Sequence, residues 1–90
     1  MFQGMKYVYE VYKEKSFSKA AASLFISQPS LSANVKRIEN RIGSPIFGRS
    51  TKPLQLTEVG EHYIQAIEKI MDIENNLKNL DVDIPRDEFV

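Results

Sequence analysis

The last third of this chain carries an apolar repeat that only one kind of element satisfies. Leu56, Val59, Tyr63, Ala66, Ile70, Ile73, Leu77 and Leu80 follow one another at intervals of 3, 4, 3, 4, 3, 4 and 3. This is a heptad seam, sustained for about three repeats, and it demands an α-helix. Ile64, Ile67 and Met71 widen the stripe. From Thr57 to Leu80 such a helix is roughly 36 Å long at ~1.5 Å per residue. In a chain of 90 residues the remaining elements are too short to cover all of it. The uncovered apolar surface is expected to meet a second copy, with Val59, Tyr63, Ala66, Ile70, Ile73, Leu77 and Leu80 forming a dimer interface.

The preceding residues divide into three shorter helical patterns and a hairpin. Phe2, Met5, Tyr9 and Tyr12, with Val8 beside them, make one stripe on a helix from Phe2 to about Lys13. After a break at "EKSF", Ser18 suits the N-cap of a short second helix. Its Ala20, Ala21 and Ala22 favour helix and permit close approach of a neighbour. A third helix opens on Ser27-Gln28-Pro29-Ser30. Ser27 can cap it, and Pro29 loses nothing in a first turn where its N–H would be unpaired. Leu31, Val35, Ile38 and Ile42 form its inward face, and Gly43 is placed to end it. Pro29, Ala33, Lys36 and Asn40 point the other way, flanked by Ser30, Ser32 and Arg37. Two β-like runs follow, Ile46–Arg49 and Leu54–Leu56, joined by turn residues Ser50, Thr51, Lys52 and Pro53. Thr57 then caps the long helix, with Glu58 well placed in its first turn.

The formal net charge is zero, but the charges are unevenly spread. Residues 1–60 hold nine Lys and Arg against four Asp and Glu, and residues 61–90 hold three against eight. A basic front and an acidic back point to an anionic partner for the front. No apolar run approaches the ~20 residues of a membrane span, and the first residues do not have the pattern of a signal peptide. The absence of cysteine fits a cytoplasmic protein. No catalytic residue, metal or cofactor is expected. There is no glycine-rich phosphate loop, nucleophile elbow or HExxH cluster, and His62 stands without a second His or Cys.

Helix, short helix, turn, capped helix, hairpin, long helix is a mainly α order. It is that of a winged helix-turn-helix, three helices plus a short β-hairpin wing, followed by a long dimerisation or linker helix. A helix that enters a DNA major groove by its N-terminal end must bring small residues close to base edges. Ser27, Gln28, Pro29, Ser30 and Ser32 offer hydroxyls, an amide and a flat apolar ring there. Gln can pair with adenine, and an apolar group can rest on a thymine methyl. Lys36 and Arg37 fall where phosphates would run, and first-turn N–H groups favour phosphate as well.

Residues 17–60 resemble the N-terminal domain of LysR-type transcriptional regulators. The resemblance rests on Ser16-Phe17-Ser18 with Ala20-Ala21, on Leu24, Ser27-Gln28-Pro29 and Leu31-Ser32, on Arg37-Ile38-Glu39, on Phe47 and Arg49, and on Leu56-Thr57 and Gly60. It implies a homodimer joined through the long helix on a partially palindromic, double-stranded DNA operator. It further implies base contacts from Gln28, Pro29, Ser30, Ser32 and Ala33. Phosphate contacts are implied for Ser27, Lys36, Arg37 and Arg49, with Lys52 at the wing near the minor groove. Ala33 stands where the family often has Arg, which removes a direct route to guanine. The expected division is residues 1–56 for DNA, 57–80 for the dimerisation helix, and 81–90 for an acidic tail or linker. The family's small-molecule effector domain has no room in 90 residues, so the chain is expected to be a fragment rather than a natural short protein. The competing expectation is a helical interaction module that dimerises without touching DNA.

Overall fold

The expected elements follow one another in the expected order in the computed structural model, which describes residues 2–48 and 53–80. They are α1 (Gln3–Glu14), α2 (Phe17–Leu24), α3 (Gln28–Ile42), β1 (Phe47–Gly48), β2 (Gln55–Leu56) and α4 (Glu58–Leu80). β1 and β2 pair antiparallel, with Phe47 opposite Leu56 and Gly48 opposite Gln55. Among the described residues the strands thus omit Ile46 and Leu54, which the sequence runs included. Arg49, Ser50, Thr51 and Lys52, expected at the strand end and turn, lie outside the described residues.

Local chemistry explains most boundaries. Ser16, not Ser18, caps α2: its backbone is extended and its side chain accepts from the Lys19 N–H at 3.1 Å. Beginning the helix there makes Phe17 its first residue, where the ring meets Phe47 edge-on with centroids 5.7 Å apart. That apolar contact favours the earlier start. α3 begins and ends as its sequence indicates, capped by Ser27 and closed by Gly43 at a φ of 87°. Glycine suits this left-handed position because a Cβ would strain it.

The core gathers Val8 and Val11 from α1, Ala20 and Ala21 from α2, Leu31 and Val35 from α3, Ile46 and Phe47 from the wing, and Ile64 and Ile67 from α4. Ala20 and Ala21 let α2 sit close, as their size implies. Tyr7, Tyr9, Tyr12 and Tyr63 are packed partly buried against this cluster.

The α1 stripe is rotated from its expected position. Val8 and Val11 carry the burial, Met5, Tyr9 and Tyr12 flank it, and Phe2 is exposed. A second difference concerns the last turn of α3, where Ile42 is exposed and Glu39 is buried, at 4% accessibility. Glu39 lies one turn beyond Val35 on the buried side, and its carboxylate meets the first N–H groups of the wing there.

Two neighbouring apolar rows run along α4. Gly60, Ile64 and Ile67 are buried and Met71 half-buried, so this row packs on the chain's own core. The seam beside it is only partly covered. Val59, Tyr63 and Ile70 are half-buried, whereas Ala66 is exposed, as are Ile73, Leu77 and Leu80 at 58%, 54% and 70%.

Candidate nucleic-acid interface

α2 and α3 are joined by a three-residue turn, Phe25 to Ser27. α2 ends with Phe25 in the left-handed conformation, φ 58°, its N–H bonded within the last turn of the helix. Ile26 donates to the Ala21 carbonyl at 3.1 Å. Ser27 returns to extended backbone and starts α3. The result is a compact corner from which the N-terminal end of α3 projects.

At that end the hydroxyls take different roles. Ser27 Oγ accepts from the Ser30 N–H at 3.2 Å and donates to Ser30 Oγ at 2.9 Å. Its side chain is thereby held in the cap. With Pro29 lacking an N–H, the Gln28 N–H is the first-turn donor that has no acceptor among the described residues. The anion-attracting capacity expected of this helix end is therefore narrow. Gln28, Pro29, Ser30 and Ala33 are exposed, and Ser32 is half-buried. Together they form a low surface of small polar and apolar groups, with the Gln28 amide standing above it.

Lys36 and Arg37 are exposed one to two turns further on. Arg37 is oriented by a side chain the sequence reading passed over: its Nη1 donates to Asn34 Oδ1 at 3.1 Å, and Asn34 Nδ2 donates to the Ser30 carbonyl at 2.8 Å. A polar relay thus joins the guanidinium to the first turn. The role of Asn34 depends on a rotamer choice that spacing does not reveal. The turn also presents Phe25 at 93% accessibility, a large aromatic beside the helix start that periodicity had no reason to single out.

Of the expected interface residues, the fold brings together Ser27, Gln28, Pro29, Ser30, Ser32, Ala33, Lys36 and Arg37 on one helix. Arg49 and Lys52 lie outside the described residues. The expected dimer residues share one row of α4 rather than this surface. Within that row, burial pushes the Tyr63 hydroxyl above the usual phenol range, opposed by the nearby Arg41 guanidinium. Among the described residues, no helix is long and apolar enough to cross a membrane.

A tri-helical unit with a β-hairpin wing and an exposed third helix defines the winged helix-turn-helix class. Residues 2–61 match the bacterial regulatory helix-turn-helix protein, lysR family, and the chain belongs to that family. It is 42% identical over 67 residues to the HTH-type transcriptional regulator BudR of Klebsiella aerogenes, covering 74% of this chain and 47% of that protein. It is 38% identical over 73 residues to the uncharacterized HTH-type transcriptional regulator YcgK of Bacillus subtilis (strain 168), covering 81% and 22%. The chain therefore spans about half of the one relative and about a fifth of the other. Among solved structures it superposes on the BenM DNA-binding domain in complex with catB site 1 DNA. The TM-score is 0.78 at 28% identity, over 87% of each chain. A LysR-family transcriptional regulator from Eggerthella lenta DSM 2243 gives a TM-score of 0.70 at 29% identity, covering 76% of this chain and 99% of that one.

Proposed function

We propose that this chain binds duplex DNA as a homodimer and forms the DNA-recognising part of a transcription regulator. The observation that carries the reading is the exposed start of α3, where Gln28, Pro29, Ser30 and Ala33 lie clear of the core ahead of Lys36 and Arg37. The relatives named as transcriptional regulators support it, as does the likeness to a domain crystallised on DNA. Residues 1–56 are assigned to DNA, 57–80 to the dimerisation helix and 81–90 to an acidic tail or the start of a linker. Gln28 is the principal base reader, with Pro29, Ser30, Ser32 and Ala33 lining the groove. Lys36, Arg37 and, by family resemblance, Arg49 and Lys52 hold the backbone. A DNA operator as partner accords with the cytoplasmic location expected from the sequence. The reading assigns no catalytic step, metal or cofactor to the chain.

Selection from a random duplex pool tests this directly. Two-fold symmetry calls for two related half-sites separated by about one helical turn, ~34–36 Å, or a multiple of it. On the selected site, Gln28→Ala should cost about 1–3 kcal/mol and flatten base preference. Lys36→Ala should weaken every sequence alike and lower the salt slope by about 0.9. Dimerisation through α4 with a flat salt response would assign the chain to an interaction module instead.

A further inference from the structure

The two peptide units on either side of Ile46 are held between the two helices that matter most to the proposed function. Ile46, fully buried between α3 and α4, donates its N–H to Glu39 Oε2 at 2.7 Å, and the Phe47 N–H approaches the same oxygen at 3.4 Å. Glu39 also accepts through its main chain: the Gly43 and Ser44 N–H groups reach its carbonyl at 2.8 and 3.1 Å. One α3 residue therefore fixes both the reversal after the helix and the strand that follows. On the other side, the Ile46 carbonyl accepts from the Thr57 N–H at 2.9 Å and is within 3.2 Å of Thr57 Oγ1. The same hydroxyl donates to the Pro45 carbonyl at 2.6 Å and accepts from the Gly60 N–H at 2.9 Å. Gly60 lies against the Ile46–Phe47 peptide, and a Cβ on it would collide with the Ile46 carbonyl oxygen.

We propose that this joint, with Glu39 and Thr57 as its positioning residues, sets the angle between α3 and α4 and thereby selects the half-site spacing that the dimer accepts. The inference rests on the DNA-binding reading above. Charge-assisted hydrogen bonds to a buried carboxylate are short and directional, so they resist rotation better than apolar contact alone. Leverage makes the angle matter. α4 is roughly 35 Å long at ~1.5 Å per residue. A rotation of about 10° at its base moves its far end by about 6 Å, nearly two base-pair rises of ~3.4 Å. A dimer paired through the far part of that helix cannot tolerate such an error and still place both copies of α3 in register. The base-reading surface at Gln28 lies at the opposite end of α3 from Glu39, so loosening the joint leaves each half-site contact intact.

The test uses the whole chain and duplexes carrying two selected half-sites whose separation varies one base pair at a time, alongside a single half-site duplex. Wild type should show a sharp optimum. Thr57→Val, which keeps shape but removes the hydroxyl, should bind the single half-site within about twofold of wild type. Its preference for the best spacing should fall at least fivefold, or the optimum should shift. Thr57→Ser should restore the sharp profile, and Glu39→Gln should broaden it. If Thr57→Val does not fold, Glu39→Gln against wild type carries the same expectation. A wild-type spacing profile in the folded variants overturns the proposal, and so does a parallel loss of single-site and paired-site affinity. A wild-type chain without DNA affinity overturns the DNA-binding reading and this joint's role with it.

Discussion

At the N-terminal end of α3, three adjacent side chains divide stability from recognition. Ser27 is committed to the cap, Ser30 Oγ accepts a hydrogen bond from its hydroxyl, and Gln28 extends outward without a fold-stabilising bond among the described residues. Ser27→Ala should therefore lower unfolding free energy by about 1 kcal/mol, seen as a lower urea midpoint with an unchanged slope. Gln28→Ala should leave that midpoint in place. This division was partly legible, since Ser27 and Pro29 are a cap and a first-turn residue on sight. Glu39 was not. On a helical wheel a glutamate beside Ile38 reads as a flank group, and its burial follows only once the Ile46 and Phe47 N–H groups are placed against it. Ser16 and Ser18 show the same dependence. Both could cap α2, and the choice rests on the Phe17–Phe47 contact, which joins residues thirty positions apart.

Among the elements, α4 was the most legible and also the most easily misread. Its period is plain, but two apolar rows one residue out of step fit the same helix. The row that enters the core begins at Gly60, which has no side chain to announce it, so the seam from Val59 was the more visible. The structure separates the rows: one faces home and the other is largely left open. Because Ile73 and Leu77 are exposed in a single chain, Ile73→Lys with Leu77→Lys should leave the three-helix core folded and remove the apolar contact between copies. Sedimentation velocity should then report half the wild-type mass, with the near-ultraviolet circular dichroism of the core unchanged. An unchanged mass would remove this face from the interface. The wing was legible as a hairpin but not in its length. Alternation at Leu54, Gln55 and Leu56 marks a strand, whereas among the described residues the ladder pairs Phe47 with Leu56 and Gly48 with Gln55 and leaves Leu54 out.

Over the whole molecule, charge and architecture run in the same direction. The excess of Lys and Arg lies within residues 1–60, and the match to the lysR family covers 2–61, so the basic part and the family unit coincide. The order of elements was enough to anticipate this architecture, because short connections leave three helices and a hairpin few ways to share one core. What order could not supply was how firmly each part is held. From Asp72 to Leu80 every residue but Glu74 is exposed, so this stretch of α4 has little of its own chain to lean on. Helical segments of fewer than ~12 residues are marginal in water when nothing packs on them. In the proposed dimer, order at that tip is borrowed from company, and dilution should act on it as a denaturant does. Ellipticity at 222 nm should fall as protein concentration drops through the association midpoint, while the near-ultraviolet tyrosine signal of the core persists. A signal that stays flat as the mass halves would mean the tip stands unaided.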